Sequence, residues 1–123
     1  MDAVKLAALA LLAACQSPLI PADTERITPP AEYRQWWEAS RPCIAKPEVR
    51  PYRNIEWYIT ESVLVGSDGR PAAALTQGNR VYLMDVFARQ PWVIQHELVH
   101  AINDIRGHPY DPFVRCGLTF EQQ

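Results

Sequence analysis

The sequence predicts an α+β domain in which a small twisted sheet, antiparallel or mixed, packs on one buried helix. Three observations lead there. Apolar residues at Val93, Ile94, Leu98, Val99, Ala101 and Ile102 recur with the period of a helix covered on most of its circumference. Two upstream segments, 54–65 and 79–86, alternate and are rich in β-branched and aromatic residues, with turn signals at their ends. A chain of 123 residues, 48% apolar and 21% charged, has the length and composition of one small domain.

At the amino terminus the short apolar run Leu6 to Ala14 ends in small residues before Cys15. Such a run reads as a secretion signal over residues 1–14, too short to remain as a membrane span. Lys5 is its only positive charge and Asp2 offsets it, so an ordinary N-terminal helix is the other reading. Leu12-Ala13-Ala14-Cys15 resembles the lipobox of bacterial lipoproteins. The resemblance implies cleavage before Cys15, a lipid on its thiol, and a membrane anchor. Gln16 in place of aspartate then implies the outer membrane, facing the periplasm. Seven of the eleven prolines precede residue 52, and residues 15–30 read as the lipidated cysteine and an extended proline-rich tether. The domain proper is expected over 31–123.

Ala31 to Ser40 reads as a short helix whose Trp36 and Trp37 pack on the domain, or else bind a glycan or a partner. Asn54 to Val65 reads as a strand, Gly66-Ser67-Asp68-Gly69 as its turn, and Asn79 to Val86 as a second strand. Pro91 suits a first helical turn, and Gly107 ahead of Pro109 suits a helix end, so the helix is expected from Trp92 to Arg106.

That helix carries His96-Glu97-Leu98-Val99-His100. Positions i and i+4 stack on one helical face, so both imidazoles can reach one ion. Glu97 lies about 100° round the helix from His96, near enough to act as general base on a water without being a ligand. The pattern is that of a zinc-dependent peptidase, whose metal brings the pKa of water toward about 7. The competing reading is a buried helix whose histidines merely hydrogen-bond in the core, which would leave three polar side chains hard to satisfy.

Val93 to Ile102 matches the extended motif of the zincin metallopeptidases: an apolar start, uncharged residues around the ligands and no internal proline. The resemblance covers about 79–116. Arg106 and Asn103 stand where a metzincin would have His and Gly. A thermolysin-like glutamate from a second helix has only Glu121 as a candidate. Gly107-His108-Pro109-Tyr110-Asp111-Pro112-Phe113 is similar instead to the compact zincins of the SprT and WLM type, in which a turn, a third His and an aromatic follow the helix. That implies His108 as third ligand, with an open fourth position for water. A solvent-exposed turn residue is the other reading of His108, with Asp111, Asp104 and Glu121 as reserve ligands. Tyr110 is a candidate donor to a developing oxyanion, and Asp104 or Asn103 a candidate to orient His100. Zincins hold an extended peptide on the sheet edge beside the metal, and Val81-Tyr82-Leu83-Met84 is the candidate edge, an interior strand being the alternative.

With Cys15 spent on lipid, Cys43 and Cys116 remain as a pair that an oxidising compartment would join. Such a bridge closes a loop of about 70 residues and stabilises by about 2–4 kcal/mol. Two free thiols, or Cys116 as a further zinc ligand, are the alternatives. A net charge of −2 with no basic stripe gives no support to nucleic-acid binding. The expectation is therefore a zinc metallopeptidase-like lipoprotein acting on a peptide or protein in the bacterial cell envelope. A non-catalytic metal-binding module that recognises an envelope partner, or a structural lipoprotein without metal, are the alternatives.

Overall fold

The computed structural model describes residues 20–119. The expected signal peptide, the lipidation site Cys15 and the reserve ligand Glu121 lie outside the described residues. The chain forms β1 (Glu25–Ile27), α1 (Ala31–Ile44), β2 (Glu56–Thr60), β3 (Leu64–Val65), β4 (Pro71–Ala72), β5 (Ala74–Gln77), β6 (Arg80–Met84) and α2 (Pro91–Ile102). A turn at Tyr110–Val114, with Asp111 in an extended conformation (φ −102°, ψ 120°), comes after α2. This is a small α+β domain: a mixed four-stranded sheet in the order β1-β2-β6-β5, a two-stranded hairpin β3-β4, and two main helices.

Glu25–Ile27 lies within the stretch expected as tether, yet it pairs antiparallel with β2 as an edge strand. The domain therefore begins earlier than residue 31. The strand expected over 54–65 is broken after Thr60, because polar side chains capture the backbone there. Asp23 accepts from the Glu61 amide (3.1 Å) and the Ser62 hydroxyl (2.9 Å), while Thr60 Oγ1 accepts from the Ser62 amide (3.0 Å). Beyond this break the chain forms the separate β3-β4 hairpin, with Leu64 opposite Ala72.

β2 and β6 run parallel, and β5 turns into β6 through the two-residue loop Gly78-Asn79. Gly78 has φ 60°, the left-handed first position that a type II′ hairpin requires. The register puts Ile27, Trp57, Ile59, Val81, Leu83 and Ala74 on one face, and these side chains join the core beneath the helices. Val81–Met84 is thus an interior stretch, paired on both sides, and the edge strand next to it is β5, with β1 at the opposite edge.

α1 buries Tyr33, Trp37, Ser40 and Ile44, a stripe at intervals of four, three and four residues. It continues past Ser40 through Pro42, ending where Ala45 turns left-handed (φ 48°) and its amide reaches the Arg41 carbonyl. Trp36 is half-buried against the same core. α2 starts with Pro91 in its first turn and is buried at Val93, Ile94, Glu97, Leu98, Val99, Ala101 and Ile102. It stops at Ile102 rather than Arg106, because Asp104 takes the left-handed conformation (φ 53°). The Val49 amide (2.7 Å) and the Arg50 guanidinium satisfy the terminal carbonyls of Ile102 and Ala101. Gly107 (φ 68°) completes the chain reversal that brings residue 108 back over the helix.

Candidate metal centre

His96 and His100 project from one face of α2, their ring centroids 5.0 Å apart. The loop beyond Asp104 returns His108 to the same point. The Nε2 atoms of His100 and His108 lie 3.3 Å and 3.1 Å from Nε2 of His96, and one nitrogen from each ring falls within 4.8 Å of the others. A tetrahedral ion with bonds of about 2.0–2.1 Å sets its ligand nitrogens about 3.3 Å apart. The three-His group can hold a metal ion.

The proton positions strengthen that fit. Nδ1 of His96 meets the Leu118 carbonyl at 2.6 Å, and Nδ1 of His100 meets the Ile105 carbonyl at 2.7 Å. A carbonyl only accepts, so each Nδ1 carries the proton and each neutral ring keeps a bare Nε2. Burial pushes His96 down to about 4 and moves His100 in the same direction, so both rings are neutral at pH 7. Two lone pairs then face each other across 3.3 Å, a repulsive contact that a shared cation converts into coordination.

Phe113, fully buried, forms the floor of the cluster. Its ring lies 4.7 Å from that of His96, 4.9 Å from His100 and 5.2 Å from His108. The turn that carries it is tied to α1 by the Cys43–Cys116 disulfide, 73 residues apart in sequence. The cysteines expected to pair do so, and Cys116 is no metal ligand.

Glu97 is buried, and desolvation pushes its carboxyl up to about 7, against a smaller lowering by Thr76. Thr76 Oγ1 donates to Oε1 at 2.9 Å, while Oε2 sits 3.8 Å from Nε2 of His96. The carboxylate therefore stands at the rim of the nitrogen cluster without belonging to it. The cluster and Glu97 line a cleft of about 950 Å³ whose far wall is residues 72–78 of β4 and β5. The Met84 amide bonds the Ala73 carbonyl (3.1 Å), so in an antiparallel ladder the backbone groups of Ala74 and Thr76 point away from β6.

The structure brings His96, His100, His108 and Glu97 together; Asp104 lines the same cleft but is not part of the three-His group. Tyr110 is 69% exposed and is not among the residues of the cleft wall. His100 is oriented by the Ile105 carbonyl rather than by Asp104 or Asn103; the Asn103 amide donates instead to the carbonyls of Lys46 and Pro47. Asp111 pairs with Arg115 and Lys46 and is outside the cluster. Thr76 and the two orienting carbonyls had no counterpart among the expected residues. A threonine on a strand preceding a Gly-Asn turn was the only available sign of the first. No family model, curated protein or solved structure matches the chain.

Proposed function

We propose that the protein is a zinc-dependent metallopeptidase-like enzyme, a compact zincin of the SprT and WLM type, that hydrolyses a peptide or protein. The observation that carries the reading is Glu97: a buried carboxylate 3.8 Å from Nε2 of His96 in a three-imidazole group, open to a cleft. His96, His100 and His108 would hold the ion. Zinc bound there supplies Lewis acidity, acidifying a water and polarising a carbonyl. Glu97 Oε2 takes the proton of the attacking water and passes it to the leaving amine nitrogen as the C–N bond breaks. Thr76 keeps Oε1 occupied so that Oε2 faces the nitrogens. The outward backbone groups of Ala74 and Thr76 offer a short ladder to an extended chain. The lipobox-like Leu12 to Cys15 and the Cys43–Cys116 bond favour an oxidising bacterial envelope, with a lipid anchor on the outer membrane.

The Thr76–Glu97 hydrogen bond also joins β5 to α2, which favours a second reading: a metal-binding module that recognises an envelope partner and uses Glu97 as a structural strut. Glu97→Gln separates the two, because its amide oxygen still accepts from Thr76 but takes no proton. With zinc binding and fold retained, turnover of a mixed peptide library should fall by about 10²-fold or more. Equal cleavage by wild type and Glu97→Gln refutes the catalytic role. Absence of cleavage by the zinc-loaded wild type leaves the module.

A further inference from the structure

Everything that completes the three-imidazole centre beyond α2 comes from one stretch, Ile105 to Leu118. It provides His108, the Phe113 floor, and the carbonyls that set the protons of His100 and His96. Among the described residues this stretch pairs with no strand of either sheet, so its position depends on side-chain anchors.

Phe113 and Leu118 anchor it in the core, and a second set of anchors converges on the end of α1. Cys116 is bonded to Cys43. The neighbouring Arg115 donates to the Cys43 carbonyl at 2.6 Å, and its Nε and one terminal nitrogen grip Asp111 Oδ1 at 3.0 Å and 2.8 Å. Lys46, just past α1, reaches the other oxygen of Asp111 at 3.6 Å. Within the stretch, the Arg115 amide bonds the Tyr110 carbonyl (3.0 Å) and the Leu118 amide the Phe113 carbonyl (2.8 Å), so a restraint at 115–116 is passed to both ends of the turn.

We propose that this clamp sets the affinity of the metal centre: Cys43–Cys116 and Arg115 are positioning groups for His108 and for the Leu118 carbonyl. The inference rests on the three-His group binding metal and is independent of whether the protein cleaves anything. Its physical basis is that His108 sits in no helix or strand, so the rest of its stretch sets where its ring stands. Without an ion, His108, the exposed member of the group, is held over α2 by its own stretch and by the 3.1 Å contact with Nε2 of His96, so a loosened stretch would carry it away from α2. Each ion would then have to select the minor closed arrangement, so the apparent affinity falls with the closed fraction. With the clamp in place, the ordering is already done when the ion arrives.

The test titrates Zn2+ into the full-length protein against a chromophoric chelator, with circular dichroism reporting the fold. Cys43→Ala/Cys116→Ala and Arg115→Ala should each weaken Zn2+ binding by about 10–100-fold, the range of groups that orient a ligand without touching the metal. His108→Ala should cost far less on top of the double cysteine variant than in the wild type, because the ligand is already displaced there. Tyr33→Phe removes a buried bond from α1 to the Ala88 carbonyl, which is not part of the clamp. It controls for lost stability alone and should bind within about twofold of wild type. If the cysteine pair variant does not fold, Arg115→Ala carries the decision. Folded clamp variants that match the wild type, or a His108→Ala cost identical in both backgrounds, overturn the clamp. A wild type that binds no Zn2+ overturns the metal reading beneath it.

Discussion

Replacing Phe113 by alanine tests whether the centre rests on a packed floor. The ring is fully buried and meets all three imidazoles at 4.7–5.2 Å. Losing the transfer free energy of such a side chain costs about 2–3 kcal/mol. The deletion also vacates about 100 Å³, and with partial collapse the residual cavity adds about 1–2 kcal/mol. The expected loss is about 4 kcal/mol, a large share of the roughly 5–15 kcal/mol that holds a small domain together. Phe113→Leu fills most of the space and should lose only about 1–1.5 kcal/mol. Urea unfolding followed by tryptophan fluorescence, in chelator so that no metal contributes, gives both values. The slope against urea should be unchanged, since the surface exposed on unfolding hardly differs. A Phe113→Ala loss below about 1 kcal/mol, or a Leu variant as damaged as the Ala variant, would refute the packing argument.

Two further predictions concern hydrogen-bonded carboxylates. Bonds from Thr60, Ser62 and the Glu61 amide hold the Asp23 pKa below its ordinary 3.8. A depressed folded-state pKa contributes stability that is complete above the unfolded value and lost as the pH falls through the folded one. Asp23→Asn should therefore be less stable than wild type at pH 7 and lose less on acidification below 3.8, and parallel acid limbs would sink the idea. Thr76→Val deletes the hydroxyl that favours ionised Glu97, a bond to charge worth about 1.5–3 kcal/mol. The acid limb of the pH–activity profile should move to higher pH with zinc affinity preserved; a stationary limb would mean that Thr76 does not tune Glu97.

The parts of the molecule legible in the sequence are those decided within a few residues. His96 and His100 share a face because any helix places i and i+4 together, and the surrounding apolar residues make that helix buried. The helix ends earlier than expected because Asp104, not the more permissive Gly107, is the first residue to turn left-handed; tertiary contacts choose among residues able to adopt that conformation. β5 is hard to read from sequence for a related reason. Ala74-Leu75-Thr76-Gln77 has little intrinsic strand preference and is extended because β6 pairs with it across Gly78-Asn79. That dipeptide is a hairpin signal, and it points to a strand ahead of it as the edge in place of Val81–Met84. The orienting carbonyls of Ile105 and Leu118 leave no trace at all, since every residue owns a carbonyl and only the fold decides which one faces an imidazole.

Glu97 is where stability and chemistry part. A carboxylate buried among Leu98, Val99 and the core is costly to desolvate, and the Thr76 hydroxyl offsets only part of that cost, which is why its pKa stands near 7. A strut between β5 and α2 could be built more stably from a packed apolar pair, because a well-filled hydrophobic contact commonly outperforms a buried charge. A site that only holds metal would draw from the same carboxylate a Coulomb attraction to the cation, 3.8 Å from the first imidazole, which is why the Glu97→Gln comparison needs both zinc affinity and turnover. The proposed hydrolysis gives the carboxyl a use, proton transfer beside a bound Lewis acid, and on that reading the cleft along β5 is the side from which a chain to be cut would enter.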